Sequence, residues 1–173
     1  MRPGVGEDCS VIELADDEVI VLSTDPITGT ADEIGTYAVH ITVNDIAASG
    51  AEPIGIMVTI LMPSPAEEKN LKQLIKSMEA ECADLGIEIL GGHTEVTPVV
   101  NQIVVTVTGV GKLKKCEVMQ KRKMRAGQEV VMTKWIGLEG TSIIANARED
   151  ELKTKYTSEV IDKAKGGVLF IDE

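Results

Sequence analysis

The sequence predicts an α+β fold, and three observations carry that prediction. Two β-branched runs, "VIEL" and "EVIVLST", stand near the start with the character of short strands. A continuous apolar run, "PIGIMVTILMP", leads into a stretch of strong helical periodicity, which gives way to two further strand-like runs. Of the 173 residues 43% are hydrophobic and only 2% aromatic, so the core that these elements share has to be aliphatic.

The second run is expected to stop at Thr24-Asp25-Pro26, because Pro has no donor for a ladder. Residues 34–49 fit two periods: Val39, Val43, Ile46 and Gly50 recur at helical spacing, while Val39, Ile41 and Val43 alternate as in a strand. Length and the Ala-rich end favour a helix, closed by Gly50. "PIGIMVTILMP", ended by Pro63, reads as a strand buried on both faces or in an interface. Ser64-Pro65-Ala66-Glu67 supplies an N-cap, a first-turn Pro and a capping-box Glu. Leu71, Leu74, Ile75, Met78, Cys82 and Leu85 then form one apolar stripe, which Gly86 terminates. "IEIL" is a strand running into "GGHTEVTP", and "NQIVVTVTGVG" is another. Beyond Gly111, "KLKKCEVMQKRKMRAGQ" has the basic, turn-rich make-up of a connecting segment, and "EVVMTKWIGLEGTSIIANA" restarts a strand, a Gly turn and a helix. The units expected are 1–111, a linker at 112–126, and 127–173, the last too short for an ordinary independent core.

Charge follows the same division. Through Gly111 there are 4 basic against 18 acidic residues, and from Lys112 onward 13 against 10. The acidity of the first unit argues against a nucleic-acid partner, whose phosphates it would repel, and is compatible with divalent cations that bridge a phosphate to an acidic site. No run approaches the ~20 apolar residues of a membrane span, and no signal-peptide layout opens the chain, so a cytoplasmic protein is the expectation. Cys9, Cys82 and Cys116 are far apart and in no CxxC spacing, which fits reduced thiols. Cys82 reads as core, and His40 as a hydrogen-bonded structural residue.

Four polar clusters fall where elements are expected to end: Gly6-Glu7-Asp8, Thr24-Asp25, Asn44-Asp45 and Gly91-Gly92-His93-Thr94-Glu95. Asp45 poses the sharpest question, since a buried, unpaired carboxylate costs several kcal/mol. Carboxylates meeting at one point need a hard cation between them, and Mg²⁺, which prefers oxygen ligands and brings phosphates with it, suits that role. The Gly-Gly pair allows close approach to a ligand and the Thr can donate to a phosphate. Each cluster alone also has a plain reading as a turn, strand end or cap, and spacing does not show that the four meet.

The ordered series "GVGEDCSVI", "LSTDPIT", "AVHITVNDIAASGAEP" and "ILGGHTEVTP" closely resembles the N-terminal domain of the aminoimidazole ribonucleotide synthetase superfamily. That superfamily includes the purine enzyme, the hydrogenase expression/formation protein HypE, thiamine-monophosphate kinase and selenophosphate synthetase, and the nearest likeness is to HypE-like chains. "AGQEVVMTKWIGLEGTSIIA" resembles the start of its C-terminal domain. The resemblance implies an α/β sandwich-like N-terminal domain with a mixed sheet and two main helices, dimerising through a shared β-barrel to which "PIGIMVTILMP" contributes. A partial C-terminal domain would follow it. ATP and Mg²⁺ are the implied cofactors, with Asp8, Asp25 and Asp45 as metal ligands and Asn44, Gly91, Gly92, His93 and Thr94 as nucleotide contacts, the Gly-Gly segment forming a phosphate-side loop. It names no catalytic residue.

The implied function is ATP-dependent activation of a carbonyl or amide oxygen in the HypE manner, with a homodimer, a small-molecule substrate and a maturation protein as partners. A non-catalytic or truncated dimerisation fragment, or a thiamine-monophosphate kinase, are the alternatives. The chain departs from the family at His93, where Asp is usual and where imidazole is a poorer Mg²⁺ ligand, so that His93 would face a phosphate and Glu95 would supply the carboxylate. It also starts close to Gly6 and ends at Glu173, without the family's N-terminal glycine-rich segment, further C-terminal motif or HypE's terminal Cys.

Overall fold

A computed structural model of the chain describes residues 8–14, 17–28, 33–118, 125–129 and 137–156. The chain divides into two compact units, Met1–Met119 and Gln120–Glu173. The first is built from β1 (Ser10–Glu13), β2 (Glu18–Ile27), α1 (Ile34–Ala48), β3 (Glu52–Met62), α2 (Glu68–Leu85), β4 (Glu88–Val96) and β5 (Val104–Lys114). The five strands form one sheet in the order β1-β2-β5-β3-β4. All neighbours are antiparallel except β3 and β4, whose parallel pairing requires the crossover that α2 provides. The mixed sheet with helices bears out the α+β expectation.

Both helices pack on one side of the sheet. Val19, Val21, Ile56, Val58, Ile60, Met62, Val105 and Val107 turn inward from the strands to meet Val39 and Ile46 of α1 and Leu74, Met78 and Cys82 of α2. The predicted α2 stripe is therefore the core-facing one. Helix α1 sits very close to the sheet: a Cβ at Gly109 would lie 2.7 Å from the Thr42 methyl, and one at Gly111 2.4 Å from an Ile46 methyl. Between the helices, His40 Nε2 lies 2.9 Å from Glu81 Oε2, and the Thr36 hydroxyl donates to Glu81 Oε1 at 3.1 Å. His40 is structural, as its sequence position suggested.

Five local expectations are corrected. Strand β2 does not stop before Pro26 but pairs with β5 through Ile27. Strand β1 borders β2 only from Val19 to Leu22, so among the described residues the stretch around Pro26 has an open side, where a missing N–H is harmless. Strand β3 is covered on one face only in the single chain, Met57 being 51% exposed, so of the two readings of its apolar run, burial on both faces within the chain is overturned and the interface reading is left.

Helix α2 starts at Glu68, after an extended Glu67 that makes no side-chain cap bond, so Ser64, Pro65 and Ala66 precede the helix rather than cap it. The first turn is instead favoured by Glu68, whose negative charge suits the helix N-terminus and which pairs with Lys72 at 2.8 Å. Residues 112–114, assigned by composition to the connecting segment, continue β5, with Lys112 paired across the sheet to Glu52 at 3.2 Å.

Gly91, Gly92, His93, Thr94 and Glu95 are strand residues of β4, not a loop. The register with β3 slips past Leu90 at a bulge, where Gly91 takes φ 153°, and a Cβ on Gly92 would lie 1.9 Å from the Val58 carbonyl oxygen. Strand pairing by itself thus requires both glycines.

In the second unit, α3 (Leu138–Ala147) confirms the helix expected there, and α4 (Glu149–Leu152) follows it. The strand expected at "EVVMTKW" lies outside the described residues, as do Gly6 and Glu7 of the first acidic motif. No helix among the described residues is long and apolar enough to cross a membrane.

Two predictions follow from this packing. Gly92→Ala forces β4 away from β3 and should cost about 3 kcal/mol or more in urea unfolding, with or without nucleotide. The Cys82 thiol is 3% exposed and is pushed up to about 11 by burial and then by Glu81 and Glu79. At pH 8 the exposed Cys116 should therefore alkylate in the native protein, while Cys82 reacts only after unfolding.

Candidate functional site

Strand β2 presents alternate residues to the helices. Val19 and Val21 fill the core, and the next two positions on the same face are Ser23, 4% exposed, and the half-buried Asp25. Because α1 is drawn down onto Gly109 and Gly111, its last turn brings Asp45 over this polar end of the strand. The Ser23 hydroxyl donates to Asp45 Oδ2 at 2.7 Å and lies 3.5 Å from the Asp8 carbonyl oxygen. The Cys9 thiol donates to the Asp45 carbonyl oxygen at 3.2 Å. Asp8, Asp25 and Asp45, singled out on different segments of the sequence, therefore meet around Ser23.

The electrostatics of this cluster are one-sided. Burial first, and then the neighbouring Asp45 carboxyl, hold the Asp25 pKa above the usual carboxylate range, with Asp8 adding to the shift and the Ser23 hydroxyl opposing it. Among the described residues, none of the groups acting on Asp25 is a cation. The last turn of α1 carries no basic residue, and the partial negative charge of the helix end adds to that of the carboxylates. Asp25 Oδ2 is buried with no hydrogen-bond partner, as is the Thr42 hydroxyl one turn before Ile46.

Such a donor set fits Mg²⁺. Its exposed chemistry is carboxylate oxygen, one buried oxygen lacks a partner, and Mg²⁺ is commonly held by one or two carboxylates, its other positions going to water and substrate phosphate. Among the described residues no three His, Cys, Asp or Glu side chains stand close enough to enclose an ion by themselves. The arrangement is a carboxylate pair with a third acid beside it, suited to an ion that arrives with its own oxygen ligands.

The glycine motif lies elsewhere in the chain. Asp25 is level with Val107, Val107 with Val58, and Val58 with Gly92, so Gly92 occupies the same row three strands away, roughly 14 Å at the usual strand spacing. His93 and Glu95 share one face of β4, their side chains 70% and 56% exposed and 4.0 Å apart. Asn44 is half-buried beside Asp45 on α1. Two contributors escaped the sequence reading, Ser23 and Cys9. The signal for Ser23 was present, because residues two apart on a strand share a face and Ser23 precedes Asp25 by two.

Comparison with known proteins agrees with the fold. Carbamoyl dehydratase HypE of Cupriavidus necator is 26% identical over 150 residues, covering 81% of this chain and 42% of that protein. The chain thus spans less than half the length of that curated relative. A solved HypE in complex with ATP superposes with a TM-score of 0.57 at 25% identity, covering 71% of this chain and 38% of that one. HypE in a HypE–HypF complex gives 0.53 at 29%, covering 62% and 36%. ThiL complexed with AMPPCP and TMP gives 0.75 at 18%, covering 92% and 52%, a likeness of fold alone. With residues 6–113 matching the N-terminal domain model of the AIR synthase related proteins, the chain belongs to that family and is HypE-like within it.

Proposed function

We propose that this protein binds ATP with Mg²⁺ and takes part, as a homodimer, in HypE-like activation of a carbonyl or amide oxygen, in hydrogenase maturation or a related step with a maturation-protein partner. The observation that carries the proposal is the Asp25–Asp45 pair, joined through Ser23 and approached by Asp8, with one buried carboxylate oxygen lacking a partner and, among the described residues, no cation acting on Asp25. Support comes also from the HypE relatives and from the HypE neighbour that holds ATP. In this reading Mg²⁺ would neutralise charge on the nucleotide phosphates.

The chain's own contribution is placement. Asp25 and Asp45 would hold the ion that neutralises the nucleotide phosphates, Asp8 and Asn44 would line the approach, and Gly91, Gly92, His93 and Thr94 would offer contacts along β4. Phosphoryl transfer needs little covalent work from side chains once the phosphates are held in line, so the absence of an assigned nucleophile is consistent with it. The uncovered sheet face around Met57 supports the homodimer.

Calorimetry should show ATP binding that requires Mg²⁺ and that weakens about 100-fold, roughly 3 kcal/mol, in Asp25→Ala and in Asp45→Ala. Nucleotide binding that ignores Mg²⁺, or that both substitutions leave intact, would sink the proposal. Met57→Glu should convert a sedimenting dimer to monomer.

A stability test follows from Asp25 alone. A raised carboxyl pKa stabilises the fold while the proton is bound and loses that contribution as pH rises through the folded-state value. In metal-free protein Asp25→Asn should therefore match the wild type near pH 4 and exceed it at pH 7, by no more than about 1 kcal/mol given solvent screening at a half-open site. Thermal melts at the two pH values check this.

A further inference from the structure

We infer that Ser23 is a positioning residue for the carboxylate pair, its hydroxyl fixing Asp45 in the orientation in which it and Asp25 act together on one divalent cation. The inference deepens the metal and phosphate reading above and rests on it.

The argument starts from what Ser23 would be in a strand that served packing alone. Its neighbours on the inward face are the buried Val19, Val21 and Ile27 and the half-buried Asp25, and on the side toward Val21 a third Val would suit packing better than a hydroxyl. A polar group only 4% exposed persists when its bond repays the loss of water, and Ser23 has such a bond. The hydroxyl carries one proton and faces three acceptors, Asp45 Oδ2 at 2.7 Å, the Asp8 carbonyl oxygen at 3.5 Å, and the Asp25 carboxylate, whose raised pKa it opposes. The shorter, charge-assisted contact takes the proton.

Asp45 and Asp25 come from different elements, a helix and a strand. A carboxylate on the last turn of a helix is free to swing about χ1 and χ2 unless something holds it. Ser23 supplies that hold from the same strand that carries Asp25, two residues away, so the spacing of the two carboxylates is set by one rigid segment. The Cys9 thiol bonded to the Asp45 carbonyl oxygen steadies the backbone of the same residue from the side of β1. Asp25 Oδ2, which has no partner, is left as an oxygen available to the ion. Groups that orient metal ligands in this way commonly affect affinity by 10- to 100-fold.

The test uses the full chain and Mn²⁺ without nucleotide, read by electron paramagnetic resonance, with circular dichroism to confirm folding. Ser23→Ala should remain folded and bind Mn²⁺ about tenfold more weakly, and Ser23→Thr, which keeps the hydroxyl, should stay within about threefold of wild type. Adding Ser23→Ala to Asp45→Ala should weaken binding no further, because nothing is left to position; a merely structural role would add its cost again. A folded Ser23→Ala protein with wild-type affinity overturns the role of Ser23 and leaves the metal reading standing. Wild-type protein that binds no Mn²⁺ overturns the metal reading and the inference together. Should Ser23→Ala fail to fold, Ser23→Cys decides: a similar volume with a weaker donor should bind more weakly, and unchanged affinity overturns the inference.

Discussion

The seating of α1 on the sheet is the constraint from which the rest of the first unit follows. Gly109 and Gly111 leave no side chain on the stretch of β5 under the helix, and Thr42 and Ile46 occupy the space so released. That depth of contact closes the aliphatic core despite the scarcity of aromatics. It also sets the position of Asp45, one residue before Ile46, over Ser23 and Asp25. The same packing contact that buries Ile46 therefore assembles the polar cluster. Residues spread from Asp8 to Gly111 act in concert because a single helix is pressed onto two strands.

What is assembled there runs against stability. Two carboxylates of unlike origin, a third nearby, the negative end of a helix and a buried oxygen without a partner all raise the local negative potential. A domain selected for stability alone would place a Lys or Arg in the last turn of α1, where the dipole favours it. Elsewhere the chain does pair its acids, as with His40 and Glu81 between the helices, or Lys112 and Glu52 across the sheet. The contrast is local, and on the reading proposed above the charge is kept for a cation that binds from solution.

Much of this was legible in the sequence, and the failures are instructive. Periodicity located α2 and the strands, length and the Ala-rich end decided α1, and the resemblance carried by the ordered motifs implied that Asp8, Asp25 and Asp45 share one site. Pro26 misled because its effect depends on whether a partner lies on its N–H side, which is a property of sheet order and not of the strand. The Ser64-Pro65-Ala66-Glu67 pattern misled because a capping motif acts only if the backbone turns into the helix immediately, and Glu67 is still extended. The two glycines of β4 suggested a loop, although close pairing with Val58 and a bulge explain them fully. Ser23 was overlooked although it stands within "LSTDPIT", because the carboxylate two residues on drew the assignment; strand alternation is what puts the two on one face.

Alternation also ties the site to the opposite face of the sheet. Along β2, Ser23 and Asp25 point toward the helices while Thr24 between them points outward, bonded to Thr108 of β5 at 2.9 Å. That outer face, with Met57 prominent on β3, is the one a second copy would cover in the proposed dimer. A strand held on both faces moves less than one held on one, and the strand concerned is the segment that fixes Asp25 and, through Ser23, Asp45. On the dimer reading, association does more than hide apolar surface: it stiffens the strand on which the spacing of the two carboxylates depends, and so couples assembly to the affinity of the site for its ion.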